Sequence, residues 1–540
     1  MGGGICLIYI DPPYNTGKDF VYKDNYADNL RNYHEITGQV DSQGNRLSVN
    51  SDSAGRYHSN WLNMMYSRLI LARNLLTDDG IILISIDDNE MQNLIQVCME
   101  IFGAENFVNN FVWVSNSKGR QIKGSGAATT KEYILCFSKK IDNLSKFHID
   151  VKYAKKAMPD IYKGFNYDIK EDSKGEYITT NELHNTNSKF NENTRPNLVY
   201  DIFFNPLINQ VITGNLGDKL PDGFVRISPH RASKGKNKFH AWRWEREKVV
   251  RDKGDLEFVE SESGWKVFTK RRDFSTTSLK DLITNFSTAH GTEDLKKLDL
   301  NLFDHPKPTE LVKLLIKIMG DKSIKVVDFF SGSSTTAHAV LELNKEDDGT
   351  RSFIQVQLPE PTNEKSDAYS LGFKNIAEIG KERIRRVAKK IRQEDPDKAR
   401  TMDLGFKVFK LDSSNIKSWD GNPEDLRQSL YDSIENIKED RSQEDVLYEV
   451  LIKYGLDLAL PVEERIIGEQ KVFNVGNGSL FVCLGNDITS AVANAIGQWK
   501  EECSFGFCRV IFKDSGLVDV EKVNSLQILK KYGINEIRSI

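Results

Sequence analysis

A short apolar run, Ile5 to Ile10, stops abruptly at Asp11-Pro12-Pro13-Tyr14, with Asn15-Thr16-Gly17 behind it. A run of that length and β-branched content reads as a buried strand. The two prolines end it, because neither can donate to a sheet ladder and each fixes φ. Asp11 and Tyr14 are thereby presented at a strand's carboxyl end, where open α/β sheets hold their ligands. A carboxylate there can accept from an exocyclic amine, stiffened proline carbonyls can face the same amine, and Tyr14 offers a flat face for stacking. These properties suit a pocket for a nucleobase turned out of its helix. The plainer reading is a strand followed by a Pro-Pro turn.

The segments behind it alternate. Residues 18–60 are polar and aromatic (Lys18, Phe20, Tyr22, Tyr26, Tyr33, His34) and read as a loop able to close over a substrate. Leu62, Met65, Leu69, Leu75 and Leu76 have helical spacing over 60–76; a turn is expected at 77–80, a buried strand at 81–86 and a helix at 89–102. Strands follow at 107–114 and 133–137. This order predicts a doubly wound, mostly parallel sheet.

A second ligand-type turn comes late. An apolar strand, 324–327, ends in Asp328, and Phe329-Phe330-Ser331-Gly332-Ser333-Ser334 leads into a helix near Thr335. Small residues let the backbone approach a ligand, and a helix N-terminus offers free N–H groups. A phosphate is one possible ligand, but the P-loop lysine is missing. Asp328 suits a cationic amine better. The next strand, 353–358, ends near Glu360, placed to accept from ribose hydroxyls. Ahead of both, His305-Pro306-Lys307-Pro308 makes a stiff loop entering a helix at 310–319.

Between these halves the alternation lapses. Over 226–253 basic side chains outnumber acidic ones ten to three, with Phe239, His240, Trp242 and Trp244 among them. Arg231, Lys234, Lys236, Lys238, Trp242, Arg243 and Trp244 are the candidate DNA contacts, since cations with interleaved aromatics suit phosphate and base packing. The alternative is a solvated surface over two core tryptophans. The helix at 376–391 is also basic (Arg383, Arg385, Arg386), and reads as a solvated face with phosphate contact as the alternative. The net charge of −4 confines nucleic-acid binding to a local face. Six scattered cysteines without a C-x-x-C pair fit a reducing cytoplasm and argue against zinc or a disulfide framework. Neither a membrane-length apolar run nor a signal sequence is present.

Asp11-Pro12-Pro13-Tyr14 resembles the catalytic loop of amino-directed DNA methyltransferases, in which Asp in first place goes mostly with adenine N6. The longer Ile8-Tyr9-Ile10-Asp11-Pro12-Pro13-Tyr14-Asn15-Thr16-Gly17 is similar to the modification subunit of type III restriction–modification systems. The segment Thr129 to Leu135 resembles that family's base-pocket lining, Arg195-Pro196-Asn197-Leu198 a landmark of its insert, and residues 510–529 its tail. The resemblance implies a permuted, β-class order: 1–140 a catalytic half, 141–290 a target-recognition insert, 291–400 a cofactor half, and 401–540 an α+β extension for subunit docking. It implies Asp11, Pro12, Pro13 and Tyr14 as catalytic residues. It implies S-adenosylmethionine held by Asp328, Phe329, Phe330, Gly332, Ser333, Thr335, Glu360, His305, Lys307 and Pro308, without a metal. It implies site-specific adenine-N6 methylation of double-stranded DNA by a homodimer partnered with a restriction subunit. An inactive recognition subunit and a stand-alone adenine methyltransferase remain the alternatives. Two departures stand out. Members of the family carry a longer segment ahead of the catalytic strand, so a truncated chain, a start-site artefact or one piece of an interrupted gene is expected. Their turn commonly reads Gly-Ser-Gly, and Ser334 in the last place disfavours a positive φ, so an adjusted turn or a weakened cofactor site is expected.

Overall fold

The computed structural model describes residues 4–16, 56–116, 127–164, 167–187, 189–231, 238–262, 264–417, 436–503 and 506–540. The aromatic loop residues from Lys18 to His34, with Lys234 and Lys236, lie outside the described residues. The chain divides into two compact units, Met1–Leu404 and Gly405–Ile540.

The first unit is built on a seven-stranded sheet. In chain order its elements are β1 (Ile5–Ile10), α1 (Arg56–Leu75), β2 (Leu76–Ile86), α2 (Met91–Phe102), β3 (Phe107–Trp113), β4 (Glu132–Ser138), β5 (Leu282–Ile283), α3 (Thr288–Lys296), α4 (Thr309–Lys317), β6 (Lys325–Asp328), α5 (Thr335–Asp347), β7 (Ser352–Gln355) and α6 (Ile376–Glu394). The strand order is β5-β3-β4-β2-β1-β6-β7. Only β4 runs antiparallel to its neighbours, so the sheet is mixed.

β1 lies at the centre, between β2 and β6. Both of its faces are covered, which is why it reads as a continuous apolar run. Leu7 and Tyr9 join one core with Leu311, Leu315, Ala339 and Leu343 of α4 and α5. Ile5, Ile8 and Ile10 join the other with Trp61, Met65 and Leu69 of α1 and Leu94 and Cys98 of α2. Ile5 joins Ile8 in this second core, and the β1–β2 register shifts between Ile5 and Leu7. The expected turn at 77–80 is that irregularity: the segment stays within β2. A Cβ on Gly80 would lie 3.0 Å from the carbonyl of Ile5, so the close approach favours glycine. Cutting a fully buried side chain such as Ile8 to alanine would cost roughly 2–5 kcal/mol.

Within residues 141–290, small antiparallel sheets replace the alternation. Leu256–Ser261, Gly264–Arg271, Gly175–Glu182 and Ile169–Asp172 form one, and Val225–Ile227, Asp201–Asn205 and Gln210–Gly214 another. They share a core containing Tyr200, Ile202, Trp242 and Val267. Both ends of the stretch belong to the main core instead: Ile149, Ala154, Met158 and Tyr162 at one end, Ile283 and Phe286 at the other. The second unit carries a five-stranded sheet, Val462–Ile467, Gln470–Val475, Leu480–Cys483, Arg509–Phe512 and Glu536–Ser539 in spatial order, with helices Ser490–Glu502 and Asp519–Lys531. Among the described residues no helix is long and apolar enough to cross a membrane.

Candidate active site

The loop leaving β1 is braced from three sides. Trp61 of α1 donates its indole N–H to the carbonyl of Pro13 at 2.6 Å. Asn15 adopts a left-handed φ of 57°, which asparagine tolerates. Its amide donates to Glu90 Oε1 at 2.6 Å. Glu90 is buried and also bonds His58 and Asn93. Tyr14 Oη donates to Glu132 Oε2 at 2.8 Å, which ties the loop to the start of β4. Burial, reinforced by the charges of Asp11 and Glu132, pushes the Tyr14 phenol well up. The tyrosine therefore stays neutral.

Asp11 has an unexpected partner. Lys307, which the resemblance assigns to the cofactor, extends into this pocket. Its Nζ lies 2.9 Å from Asp11 Oδ1 and 3.4 Å from Glu132 Oε2. The first contact pairs the ammonium directly with the Asp11 carboxylate. Burial raises the Asp11 carboxyl, and Lys307 opposes that rise.

The late ligand turn sits next door. β6 pairs in parallel with β1 (Leu7 with Val326, Ile8 with Val327), so the ends of the two strands lie side by side at one edge of the sheet. Asp328 ends β6, buried, and accepts from the Phe330 N–H at 3.1 Å and from Thr336 Oγ1 at 2.6 Å. Burial lifts its carboxyl to about 7, with the charge of Asp11 adding to the rise. Gly332 and Ser334 are both left-handed, at φ 48° and 63°. Ser334 thus holds the conformation its side chain disfavours, at roughly 1–2 kcal/mol. Gly380 of α6 makes room for it, since a Cβ there would sit 2.5 Å from Ser334 Oγ.

Several expected cofactor contacts look elsewhere. Ser333 and Thr335 turn their hydroxyls to Arg383, which donates at 3.0 and 2.8 Å. Arg383 also donates to Thr309 Oγ1 and His338 Nδ1. With 0% of its surface exposed, it is neither a solvated helix residue nor a phosphate contact. It is a brace behind the turn that its basic neighbours concealed. Phe330 packs in the core, with Phe329 against it. His305 is exposed with φ 55°, while Pro308 is buried at the start of α4. β7 stops at Gln355 rather than Leu358, so Glu360 lies in irregular chain beyond it, part-buried, its carboxyl raised by burial. Gln355, the register partner of Asp328, ends β7, and its buried amide has no hydrogen-bond partner among the described residues.

In the basic segment Arg231, Lys238 and Arg243 are exposed. Trp242 is not a DNA contact: it is 1% exposed and donates its indole N–H to the Tyr200 carbonyl. Trp244 is part-buried, with Lys248 Nζ 4.5 Å from the ring centroid.

A family model described as DNA methylase matches residues 5–389. The type III restriction-modification enzyme EcoPI Mod subunit of Escherichia phage P1 is 31% identical over 98% of this chain and 80% of its own length. The StyLTI Mod subunit of Salmonella typhimurium is 35% identical over 75% of this chain and 57% of its own. The type II methyltransferase M.KpnI of Klebsiella pneumoniae is 31% identical over 71% of this chain and 82% of its own. The solved PvuII cytosine-N4-specific DNA methyltransferase covers 72% of this chain and 86% of its own, at 11% identity and a TM-score of 0.28. On the family match and these relatives, the chain belongs to the DNA methylases, among the Mod subunits of type III restriction-modification enzymes.

Proposed function

We propose that the protein methylates N6 of an adenine flipped out of duplex DNA, using S-adenosylmethionine, as the modification subunit partnered with a restriction subunit. The observation that carries this reading is the juxtaposition of the Asp11–Tyr14 strand end with the Asp328 turn on neighbouring parallel strands. Catalytic strand first, antiparallel insert next and cofactor strand last is the permuted, β-class order.

The residues present fit the cofactor. Asp328 is a buried carboxylate for an ammonium, Gln355 a buried amide beside it with no partner among the described residues, and the left-handed turn at 332–334 brings backbone close. Bound there, S-adenosylmethionine supplies an electrophilic methyl on a cationic sulfur. The chain's own residues do the rest. Tyr14 stacks on the flipped base while Glu132 holds its hydroxyl. Asp11 and the Pro12 carbonyl accept from the N6 amine, which turns its lone pair toward the cofactor side. Asp11 is the carboxylate at hand for the proton the amine loses. Catalysis of this kind is mostly position and electrostatics. Arg231, Lys238 and Arg243 supply phosphate contacts. We read the active form as a homodimer.

Genomic DNA from cells with and without the gene, digested and analysed by mass spectrometry, tests this. N6-methyladenine is expected with the wild type and absent with Asp11→Ala, whose DNA affinity stays within a few-fold. N4-methylcytosine in its place would overturn the base assignment, and no modified base at all would favour an inactive recognition subunit.

A further inference from the structure

Lys307 stands where a cation is costly to bury and hard to displace. Its side chain is 11% exposed. Around its ammonium are Asp11 at 2.9 Å, Glu132 at 3.4 Å, the Tyr14 ring at 4.8 Å and the Trp113 ring at 5.8 Å. The backbone delivering it is clamped. Pro306 and Pro308 are buried on either side, and the Pro306 carbonyl lies so close to α3 that a Cβ on Gly291 would come within 2.0 Å of it. The side chain therefore enters the pocket from a fixed backbone position.

Burying an ammonium carries a desolvation penalty of several kcal/mol, offset only by good partners. Here the partners are two carboxylates from different elements, which without a cation would repel and take up a proton. Tyr9 and Tyr14 face Asp11 from its own strand and loop, Glu132 from β4, Asp328 from β6, and Lys307 from the loop before α4. Among the described residues Lys307 is the cation in that set. A protonated Asp11 would give up an acceptor that the amine needs.

We propose that Lys307 is a positioning residue of the base pocket: its ammonium, bridging Asp11 and Glu132, holds Asp11 ionised and aimed at the target amine. This deepens the adenine-methyltransferase reading and rests on it. It also separates Lys307 from Thr309 at the start of α4, which accepts from Arg383, the brace behind the Ser333 turn.

The test compares wild type, Lys307→Met and Lys307→Arg. Single-turnover transfer of labelled methyl from S-adenosylmethionine to unmethylated genomic DNA is followed from pH 5.5 to 9, with cofactor affinity measured by calorimetry. For Lys307→Met the acid limb of the rate profile should move up by about one pH unit, a tenfold loss on the acid side that narrows toward pH 9. Cofactor affinity should stay within about twofold, and Lys307→Arg should restore the limb. A uniform loss at every pH overturns the proposal, as does a tenfold fall in cofactor affinity with the limb unmoved. Thermal midpoints read the ion pair without activity. Unpaired, Asp11 has a folded-state pKa above its unfolded one, so its penalty is absent at low pH and grows as pH rises. The midpoint gap between wild type and Lys307→Met should therefore widen from pH 5 to pH 8, and a constant gap overturns the proposal. If the wild type transfers no methyl, the enzymatic reading fails by itself and the midpoints still decide the role of Lys307.

Discussion

Replacing Asp328 by Asn should make the protein more stable and worse at holding its cofactor. Asp328 is buried, and its carboxyl is lifted from 3.8 to about 7 by loss of solvent. A carboxyl bound more tightly to its proton in the fold than in the unfolded chain destabilises the fold once ionised. The penalty is absent below about 3.8, grows by about 1.4 kcal/mol per pH unit above it, and levels off near 7 at about 4 kcal/mol. Asparagine removes the charge and keeps the shape: its carbonyl can accept from Phe330 N–H and its amide can donate to Thr336 Oγ1. Asp328→Asn should therefore unfold at higher temperature or denaturant than wild type at pH 8. The gain should fall by more than half at pH 5 and vanish near pH 4. In the same variant S-adenosylmethionine affinity, by calorimetry, should drop at least tenfold. A variant no more stable than wild type at pH 8, or a gain independent of pH, would refute the idea of an ionised carboxylate held in reserve for a cation.

Other substitutions probe the surrounding frame. Ser334→Gly relieves a left-handed serine but frees the unfolded backbone, so a net gain of roughly 0.5–1 kcal/mol is expected in denaturant melts; a loss would mean the side chain contributes more than the strain costs. Gly291→Ala drives a Cβ into the Pro306 carbonyl. It should destabilise by about 1–3 kcal/mol and slow methyl transfer by displacing Lys307, whereas unchanged rates would show that the loop is not clamped there. Tyr14→Phe keeps the ring and loses the hydroxyl's bonds to Glu132 and Asp11, so its methylation rate should stay within about tenfold of wild type. Tyr14→Ala loses a stacking contact worth roughly 1–3 kcal/mol and should fall well below it, and equal rates for the two would remove stacking from the account.

Local order was largely legible. β1, the 81–84 stretch of β2 and the Val326-Val327 pair of β6 are apolar because they are buried in the sheet, and the two prolines after Asp11 mark where β1 ends. What the sequence hid was tertiary. Lys307 and Arg383 look like any loop lysine and any basic helix residue, and only folding shows that one reaches Asp11 and the other Ser333. Trp242 sits among exposed cations, yet its ring faces inward, since alternation between charged and aromatic residues does not say which side meets solvent. The irregularity at 77–80 mimics a turn because Thr-Asp-Asp-Gly is turn chemistry. The neighbouring strand and Gly80 instead keep it extended. Ser334 violates local preference and is accommodated by Gly380, a residue far along the chain.

The adjacency of the two strand ends is the claim on which the rest depends. A crystal structure with S-adenosylhomocysteine and a duplex carrying the methylated sequence tests it directly. The target base should lie on Tyr14 with its amine at Asp11, and the cofactor sulfur should face that amine from the Asp328 turn. A cofactor bound away from β6, or a target base held away from Asp11, would contradict the account.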